Sequence, residues 1–440
     1  MAWGSPPATR VSAWIDCRPM RIAVLTNNYP PHSLGGYELL CAEHVAWLRQ
    51  RGHAVVVLAS TYGLAPRYGP GRERTETGAA GETVVRALDF HWHDFEHDRP
   101  TGLRLWEGER RQRLALDRVL REHGVQGAFL WHQAGLSKSL IAELGRRGLP
   151  MVAVVGEPWP AWDIAADHWL QLWDRDAVRP LARLAKPPLR RLADRLVAPV
   201  SLDGALAALV PAYASEHLRR IVDRDAPPQW PRGGAVVPNG IRLDQFVRSR
   251  TSREDGETLR CLYAGRIERR KGVHVAVDAV AAATRRGVPA TLTVRGWADA
   301  AYLAELRQQA TAAGLDVDWQ EAAPREQMPD VYAAHDVLLF PTLWDEPFGL
   351  VPVEAMAGGC VVVATGSGGS GEYLEDGANC LVAPPGDAEA VAAHLQRLSG
   401  DPRLVDALRA GGLRTAREHD FEGYARRLEA LLAGAVAPAQ

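Results

Sequence analysis

Residues 21–59 read RIAVLTNNYPPHSLGGYELLCAEHVAWLRQRGHAVVVLA, and their pattern of apolar and polar residues predicts the fold class. It begins and ends with a short, nearly all-apolar run, which is typical of a strand buried on both faces of a parallel sheet. Between the two runs, Leu40, Val45 and Leu48 repeat at helical spacing, and the predicted helix ends at Gly52. A strand, a helix and a second strand in this order form a βαβ unit, which predicts a right-handed parallel α/β sheet.

The alternation of strands and helices continues along the chain and restarts once. Apolar runs typical of strands occur at 83–88, 127–131, 151–155, 195–199 and 235–241, and again at 259–264, 290–294, 336–340, 360–365 and 380–383. This pattern predicts two doubly wound, Rossmann-like α/β domains that face each other across a cleft, followed by a helical tail. The predicted boundaries are a flexible leader at 1–19, a first domain at 20–245, a linker at 246–258, a second domain at 259–415, and a C-terminal helix and tail at 416–440.

Composition excludes several classes of protein. The chain has 440 residues, of which 47% are hydrophobic and 24% are charged, so it is neither disordered nor collagen-like. A formal net charge of −2 gives no field that favours nucleic acid, and no nucleic-acid partner is expected. The five cysteines are scattered without a C-x-x-C pair, which indicates reduced thiols and no zinc site. Neither a membrane-spanning run nor a signal peptide is recognisable, and a cytoplasmic location is expected.

Two glycine-containing loops are candidate phosphate sites. Gly35 and Gly36 lie between the first strand and the first helix, where free N–H groups favour a phosphate or an oxyanion. A tight turn explains this pair of glycines equally well. In the second domain, loop 265–272 carries Arg266 and Lys271. Their side chains suit a diphosphate, with a solvated basic loop as the alternative.

The sharpest signal is the segment Glu346-Pro-Phe-Gly-Leu-Val-Pro-Val-Glu354. It follows a predicted strand directly and runs into a helix that has Pro352 in its first turn. The two carboxylates are on the order of 10 Å apart at helical rise, which suits contacts with different sugar rings of one ligand. The alternative is a pair of surface glutamates near a helix start, where the helix dipole favours acidic residues.

Taken together and in this order, these motifs resemble those of the retaining glycosyltransferases of the GT-B fold, in particular family GT4. The resemblance also includes residues 237–241 (VPNGI) and 368–379 (GGSGEYLEDGAN), and it covers the chain from Met20 to about Leu432. It implies a metal-independent enzyme without a cofactor, which moves a sugar from a nucleotide-diphosphate sugar to an acceptor hydroxyl with net retention. The second domain would bind the donor, and the first domain would bind the acceptor, a small molecule or a glycan.

The resemblance also implies roles for individual residues. Arg266 and Lys271 would neutralise the diphosphate. Glu346 would face the donor sugar, and Glu354 would bind the ribose hydroxyls. The groups implied near the phosphates or the bound substrate are Gly35 and Gly36 across the cleft, Gly265, and the backbone amides of Phe348, Gly349 and Leu350.

One departure from the family pattern concerns the first domain. Relatives often carry a histidine in a Thr-x-His-Asp setting after the strand that corresponds to residues 151–155, but this chain has Glu157 as the ionisable group there. Glu157 is a candidate for orienting the acceptor, or for accepting its proton if the pKa of the carboxyl is raised. An ordinary loop residue is the alternative. His132, after the strand at 127–131, is a candidate for substrate binding, with a structural role as the alternative.

Segment 159–195 contains two features with a functional and a structural interpretation. Its tryptophans suit sugar rings, but their spacing favours a helix core; they are Trp159, Trp162, Trp169 and Trp173. The basic, leucine-containing run at 175–195 is a candidate for contact with anionic lipid. The simpler interpretation of this run is a solvated helix face broken by Pro180, Pro187 and Pro188.

Three other functions compete with glycosyl transfer. Residues 366–371 spell G-x-G-x-x-G, a dinucleotide fingerprint, but only residues 372–379 precede the next predicted strand, too few for a crossover helix. A nucleotide-sugar epimerase or phosphorylase of the same fold would carry the same paired glutamates. A non-catalytic subunit that binds a sugar nucleotide is the third alternative, because the family histidine is missing after residues 151–155.

Overall fold

The computed structural model describes residues 18–32, 35–62, 64, 73–93, 96–97, 100–174, 180–248 and 257–437. The predicted leader at 1–19 lies almost entirely outside these residues. So do most of the predicted linker at 246–258 and the first part of the basic run at 175–195.

The described strands form two parallel sheets and one short hairpin. The strands are β1 (Arg21–Thr26), β2 (Ala54–Ser60), β3 (Arg74–Thr77), β4 (Thr83–Leu88), β5 (Trp92–His93), β6 (Glu96–His97), β7 (Gly127–Leu130), β8 (Met151–Val155), β9 (Leu209–Tyr213), β10 (Ala235–Val236), β11 (Leu259–Ala264), β12 (Ala290–Arg295), β13 (Val317–Gln320), β14 (Val337–Phe340), β15 (Val361–Ala364) and β16 (Cys380–Val382). The first sheet is ordered β10-β9-β8-β7-β1-β2-β4-β3, and the second is ordered β13-β12-β11-β14-β15-β16. Within these sheets only the β3–β4 pair of the described strands is antiparallel. The hairpin pairs β5 with β6.

Helices flank both sheets. They are α1 (Gly36–Gln50), α2 (Gly102–Glu122), α3 (Ser139–Arg146), α4 (Trp159–Ala166), α5 (His168–Asp174), α6 (Pro180–Leu196), α7 (Glu216–Asp225), α8 (Leu243–Phe246), α9 (Val273–Arg285), α10 (Ala300–Ala312), α11 (Met328–Ala333), α12 (Leu350–Ala357), α13 (Ala388–Gly400), α14 (Pro402–Glu418) and α15 (Phe421–Val436). Short 3₁₀ turns lie at Arg269–Lys271, Arg325–Gln327 and Gly369–Glu372. This architecture confirms the predicted pair of doubly wound α/β domains.

Burial on both faces explains the apolar runs of the central strands. Val24 and Leu25 of β1 are each 0% exposed, but they pack into separate hydrophobic cores. Successive side chains of a strand point to opposite faces, so a strand covered on both sides needs an unbroken apolar run. The β1 run therefore indicated a central strand.

The last helix returns to the first domain. Leu428 and Leu432 of α15 are buried in the same core as Val24 of β1. Glu429 of α15 pairs with the His53 side chain at 2.7 Å, just before β2. The segment predicted as a C-terminal helix and tail at 416–440 thus completes one helical layer of the first domain.

One predicted strand is wrong, and β9 is the longest of several described strands that escaped prediction. The run at 195–199 was predicted as a strand, but α6 continues through Pro187 and Pro188 to Leu196. The strand of this region is β9, which pairs with β8 and β10. Pro211 within β9 removes a ladder donor and disguises the strand in the sequence.

The tryptophans that follow Glu157 belong to the core. Trp159, Trp169 and Trp173 are at most 5% exposed, and Trp162 packs against the same cluster. This confirms the core interpretation over a sugar-binding surface. Among the residues that the structure describes, no helix is both long and apolar enough to cross a membrane.

A glycine in α3 is required by close packing, which a stability measurement will test. A Cβ added at Gly145 would overlap the carbonyl oxygen of Ala205. We expect Gly145→Ala to lower the free energy of unfolding by about 1–3 kcal/mol, as overpacking does. Denaturant unfolding of the purified chain measures the change.

The matched control is a helical glycine in open space. A Cβ at Gly434 of α15 would meet no atom within 4 Å. We expect Gly434→Ala to raise the free energy of unfolding by about 0.5–1 kcal/mol, because alanine restricts the unfolded chain and favours the helix. Equal effects of the two substitutions would contradict this account of the packing.

Candidate active site

The candidate site lies where the carboxyl ends of the strands of both sheets face each other. Gly36 follows the loop after β1, and a Cβ added there would lie 3.9 Å from the Leu350 side chain of the second domain. Leu350 is the first residue of α12, and the N–H groups of a first helical turn have no intrahelical acceptor. The structure thus brings the first predicted phosphate loop against the start of the Glu346–Glu354 segment.

Glu346 is held by two donors from the second domain. The Lys271 Nζ donates to Glu346 Oε2 at 2.6 Å, and the Trp344 Nε1 donates to the same oxygen at 3.0 Å. The Lys271 and Glu346 side chains are 14% and 12% exposed, so the ion pair is largely shielded from water. The two residues that the sequence assigned to diphosphate and sugar are therefore in direct contact.

Cations surround the Trp344 ring. The Arg270 guanidinium carbon lies 4.3 Å from the ring centroid, and the Lys271 Nζ lies 5.0 Å from it. Arg266, at the start of the same loop, pairs with Glu268 at 3.2 Å. Arg270 also pairs with Glu268, at 2.7 Å, so one loop of the second domain carries three cations, of which Lys271 contacts Glu346 and the two arginines share Glu268.

Two glycines of that loop are needed for its shape. Gly272 has a φ of 72°, and a Cβ there would overlap the Pro341 carbonyl oxygen that follows β14. Gly265, which was predicted to lie near the substrate, has a φ of 141° and donates its N–H to Arg295 at 3.1 Å. Gly265 therefore shapes the strand end, and Gly272 seats the cations against the loop that leads to Glu346.

The glycine-rich segment after β15 clamps the Glu346 loop. Gly368 and Glu346 form a bridge, and a Cβ at Gly368 would lie 2.6 Å from the Glu346 backbone nitrogen and oxygen. The Gly369 N–H donates to the Glu346 carbonyl oxygen at 2.6 Å. A 3₁₀ turn at Gly369–Glu372 follows in place of the α-helix that a dinucleotide fingerprint requires. The glycines of the G-x-G-x-x-G sequence therefore allow the backbone of this segment to pack closely against the Glu346 loop.

Some of the residues predicted to lie near the phosphates belong to the hydrophobic core, and others are accessible to a ligand. The Phe348 side chain is 3% exposed and its ring centroid lies 5.1 Å from that of Tyr373, so only its backbone can meet a ligand. Gly349 has a φ of 83°, a backbone conformation that L side chains rarely adopt. Gly35 is exposed and extended at the N-terminus of α1, and a Cβ added there would meet Glu38 of its own domain at 3.7 Å.

Glu354 is buried and engaged within the protein. Tyr332 OH donates to Glu354 Oε2 at 2.9 Å, and the Arg325 Nη1 lies 3.2 Å from Glu354 Oε1. Arg325 also pairs with Glu43 of α1 at 2.9 Å. Arg325 thereby joins the predicted ribose-binding glutamate to the first domain, a contact that no motif of the sequence indicates.

His132 and Glu157 form a charged pair on the first domain's side of the cleft. His132 Nε2 lies 3.4 Å from Glu157 Oε2, and His132 Nδ1 lies 3.7 Å from Glu38 Oε1. Burial alone would lower the pKa of His132, but the carboxylates of Glu157 and Glu38 outweigh it and raise the pKa to about 10.

The pKa of Glu157 moves in the opposite direction. Desolvation would raise it, but His132, followed by Arg266 and Arg270 of the second domain, lowers the pKa to about 2. Proton acceptance by Glu157 was predicted only if its pKa were raised, and that condition is not met. An anionic Glu157 retains the capacity to orient an acceptor hydroxyl as a hydrogen-bond acceptor.

Direct contacts between the domains also flank the site. Ser215 Oγ at the start of α7 donates to the Pro347 carbonyl oxygen at 2.6 Å, next to Glu346. The backbone N–H groups of Glu216 and His217 donate to the Glu372 carboxylate at 3.0 and 2.6 Å. Sequence analysis missed these contacts, since their partners lie 132 to 156 positions apart and carry no pairing signal.

Known proteins resemble the chain along nearly its whole length. Residues 245–414 match the family model described as glycosyl transferases group 1. The chain is 27% identical over 425 residues to a GDP-mannose-dependent alpha-(1-6)-phosphatidylinositol monomannoside mannosyltransferase from Mycolicibacterium smegmatis, which covers 93% of this chain and 98% of that protein.

Two solved structures share the fold. Sucrose-phosphate synthase from Thermosynechococcus elongatus has a TM-score of 0.65 at 19% identity and covers 93% of this chain and 97% of that one. Anabaena Alr3699/HepE in complex with UDP-glucose has a TM-score of 0.62 at 18% identity, with 94% and 100% covered. These similarities confirm the GT-B fold. Residues 245–414 are thus similar to the glycosyl transferases group 1, and because the relatives that match the chain are named glycosyltransferases, the chain is classed as a glycosyltransferase.

The charged pair in the cleft predicts a defined dependence of stability on pH. The unfolded chain releases the His132 proton near the ordinary pKa of 6.5, whereas the folded protein keeps it to about 10. The stabilisation by this proton is therefore fully present below pH 6.5 and is lost as the pH rises through about 10. We expect the difference in unfolding free energy between wild type and His132→Gln to fall over that interval. Denaturant unfolding at a series of pH values measures this difference.

His44 supplies a control of opposite sign. Burial lowers the pKa of His44 from 6.5 to about 3, so the folded protein loses stability relative to the unfolded chain as the pH falls below 6.5. The difference in unfolding free energy between wild type and His44→Phe should consequently be constant above pH 6.5 and decline below it. A flat difference for His132→Gln between pH 6.5 and 10 would contradict the assigned protonation state.

Proposed function

We propose that the enzyme transfers the sugar with net retention at the anomeric carbon, and that the loop carrying Arg266 and Lys271 binds the donor's diphosphate. The observation that carries the proposal is the shielded 2.6 Å ion pair between Lys271 and Glu346, on the loop that leads into Leu350, the residue nearest to Gly36 of the first domain. In this proposal the pair would set a cation for the leaving group beside a carboxylate for the sugar.

Binding of a donor would use the charges already present. A diphosphate between Arg266, Lys271 and the start of α12 would accept hydrogen bonds from two cations and from N–H groups of the first helical turn. Glu346 would then accept hydrogen bonds from hydroxyls of the transferred sugar. For Glu354 to meet the ribose hydroxyls, its bonds to Arg325 and Tyr332 would have to be shared with the ligand.

The proposed reaction is a front-face displacement. The bond between the anomeric carbon and the diphosphate oxygen breaks, and its electron pair stays on the diphosphate, whose charge Arg266 and Lys271 stabilise. The acceptor hydroxyl forms the new bond on the same face, and its proton passes to a phosphate oxygen of the leaving group. In this proposal Arg266 and Lys271 stabilise the negative charge of the diphosphate leaving group, which a metal ion does in other transferases. The proposal therefore needs no metal.

The acceptor would bind on the first domain's side of the cleft. Glu157 would accept a hydrogen bond from an acceptor hydroxyl, and the protonated His132 would fix the orientation of that carboxylate. Glu157 is a positioning group in this scheme, because its lowered pKa makes it a weak base.

Nucleotide-diphosphate sugars are the proposed donors. The mycobacterial relative is described as GDP-mannose-dependent, and the Anabaena structure holds UDP-glucose. A thermal-shift screen of nucleotide sugars against the purified chain identifies the donor, and a glycan or a small molecule with a free hydroxyl is the proposed acceptor class.

Removing either member of the ion pair tests the donor site. We expect Lys271→Ala and Glu346→Ala each to lower the rate of sugar transfer by about 10²–10³-fold, the usual cost of losing a group that stabilises transition-state charge. Transfer from the identified donor is measured together with the thermal unfolding midpoint, which separates loss of chemistry from loss of fold.

An exposed arginine on the outer side of the second domain provides the control. Arg285→Ala, near the end of α9, should leave the transfer rate unchanged. Near wild-type rates in both site variants would refute the assignment of Lys271 and Glu346.

The stereochemical outcome tests the front-face course. Because attack and departure occur on one face, the product should keep the anomeric configuration of the donor. Proton NMR of the product formed by the wild-type enzyme measures that configuration. A product of inverted configuration would remove the proposed mechanism and leave the family and the fold in place.

A further inference from the structure

A largely buried arginine of the second domain lies between two carboxylates that belong to different domains. Arg325 Nε is 2.9 Å from Glu43 Oε1 of α1, and Arg325 Nη1 is 3.2 Å from Glu354 Oε1 of α12. The three side chains are at most 19% exposed. One guanidinium therefore serves two carboxylates, and we call this group the Arg325 bridge (Glu43, Arg325 and Glu354).

Helices α1 and α12 bring the two carboxylates together because their first residues meet. A Cβ added at Gly36, which begins α1, would lie 3.9 Å from the side chain of Leu350, which begins α12. Glu43 lies about two turns along α1, and Glu354 lies about one turn along α12. Arg325 begins the 3₁₀ turn that precedes α11. The Arg325 bridge thus forms where the two domains meet.

Glu43 limits how Arg325 binds Glu354. An arginine and a carboxylate often form two parallel hydrogen bonds, which occupy both carboxylate oxygens. Here the Nε side of the guanidinium faces Glu43, and Nη1 approaches a single oxygen of Glu354. Tyr332 OH donates to the other oxygen, Oε2, at 2.9 Å. Because each carboxylate oxygen has two lone pairs, each oxygen of Glu354 can accept one more hydrogen bond.

The Arg325 bridge also contains a donor and an acceptor that are not satisfied. Arg325 Nη2 and Glu43 Oε2 are buried, and neither forms a hydrogen bond within the part of the chain that the structure describes. A buried donor without a partner is costly, so Arg325 would gain a hydrogen bond by turning towards Glu354. The contact between Arg325 and Glu43 opposes this rotation.

We propose that Glu43, a residue of the first domain, is a positioning residue for donor binding. It restrains Arg325, so that each oxygen of Glu354 stays open to a hydroxyl of the donor's ribose. The inference rests on the proposed function, which assigns Glu354 to the ribose. Without the Glu43 charge, Arg325 pairs with Glu354 through two nitrogens and occupies those acceptor sites. Affinity for the donor nucleotide therefore depends on a carboxylate of the other domain.

Binding of nucleoside diphosphates to the full chain tests this role. UDP, GDP, ADP and CDP are titrated by calorimetry, and the one that binds most tightly is compared with its 2′,3′-dideoxy analogue. We expect wild type to prefer the ribonucleotide by about tenfold or more, because its hydroxyls donate charge-assisted hydrogen bonds to Glu354. Glu43→Gln should remove most of this preference, and its affinity for the dideoxy analogue should stay within about twofold of the wild-type value.

A substitution of Arg325 shows whether Glu43 acts through it. Arg325→Lys keeps the charge, but an ammonium group cannot form the two parallel hydrogen bonds of a guanidinium. In that background Glu43→Gln should therefore leave the ribose preference largely intact. Thermal unfolding midpoints show that the variants are folded, and Glu43→Ala, with the same expected result, replaces Glu43→Gln if the latter does not fold.

An exposed carboxylate of the same region supplies the matched control. Asp330 of α11 is 77% exposed and pairs with Arg248 at 3.1 Å. Asp330→Asn removes one negative charge and should leave the affinities for both nucleotides unchanged, because exposed ion pairs contribute little.

The outcomes separate this inference from the function on which it rests. A ribose preference that Glu43→Gln leaves intact would overturn the role of Glu43. A preference that the double variant loses as fully as Glu43→Gln would also overturn it. Equal binding of the ribonucleotide and its dideoxy analogue by wild type would instead contradict the assignment of Glu354 to the ribose. Failure of all four diphosphates to bind would contradict the donor site itself, and the inference would be lost in both cases.

Discussion

The contact on which the site depends is the ion pair between Lys271 and Glu346, and backbone packing holds its two sides in place. The Lys271 loop is seated by Gly272 against the Pro341 carbonyl, and the Glu346 loop is seated by Gly368. Each of these close approaches excludes a Cβ, so the position of the charges is set by glycines that carry no charge themselves. The position of the charges in this site is thus a consequence of how closely three loops pack.

The charges of the two domains complement each other across the cleft. Arg266 and Arg270 of the second domain lower the pKa of Glu157, and His132 lies behind that carboxylate. Ser215 is bonded to the carbonyl of Pro347, the residue after Glu346. A rotation between the domains would therefore act directly on the loop that carries Glu346, since Ser215 of the first domain is bonded to that loop.

The sequence predicted most of the architecture because central parallel strands are buried on both faces. The apolar runs of β1, β2, β8 and β11 mark them unambiguously, whereas β3 at the sheet edge reads Arg-Thr-Glu-Thr and has no such signal. Pro211 hid β9 for a different reason, because a proline usually argues against an inner strand.

Prediction of the site followed a similar division. Lys271 and Glu346 were found through the order of the motifs, since spacing alone does not bring residues 75 positions apart together. The partners that have no motif, Arg325, Ser215 and Glu372, were missed, because their contacts exist only once the two domains are folded against each other.

The course of α15 has a consequence for how the chain can be divided and made. Its leucines fill the core beneath β1, and Gly127 of β7 lies directly under Leu432. The first domain is synthesised before α15, so it lacks part of its hydrophobic core until residues 421–436 have left the ribosome. If the chain were cut between the two domains, the first fragment would expose the apolar surface that α15 covers, and the second fragment would carry α15 without its packing partner. The two domains are therefore distinct in architecture, but the first domain needs α15 to fold.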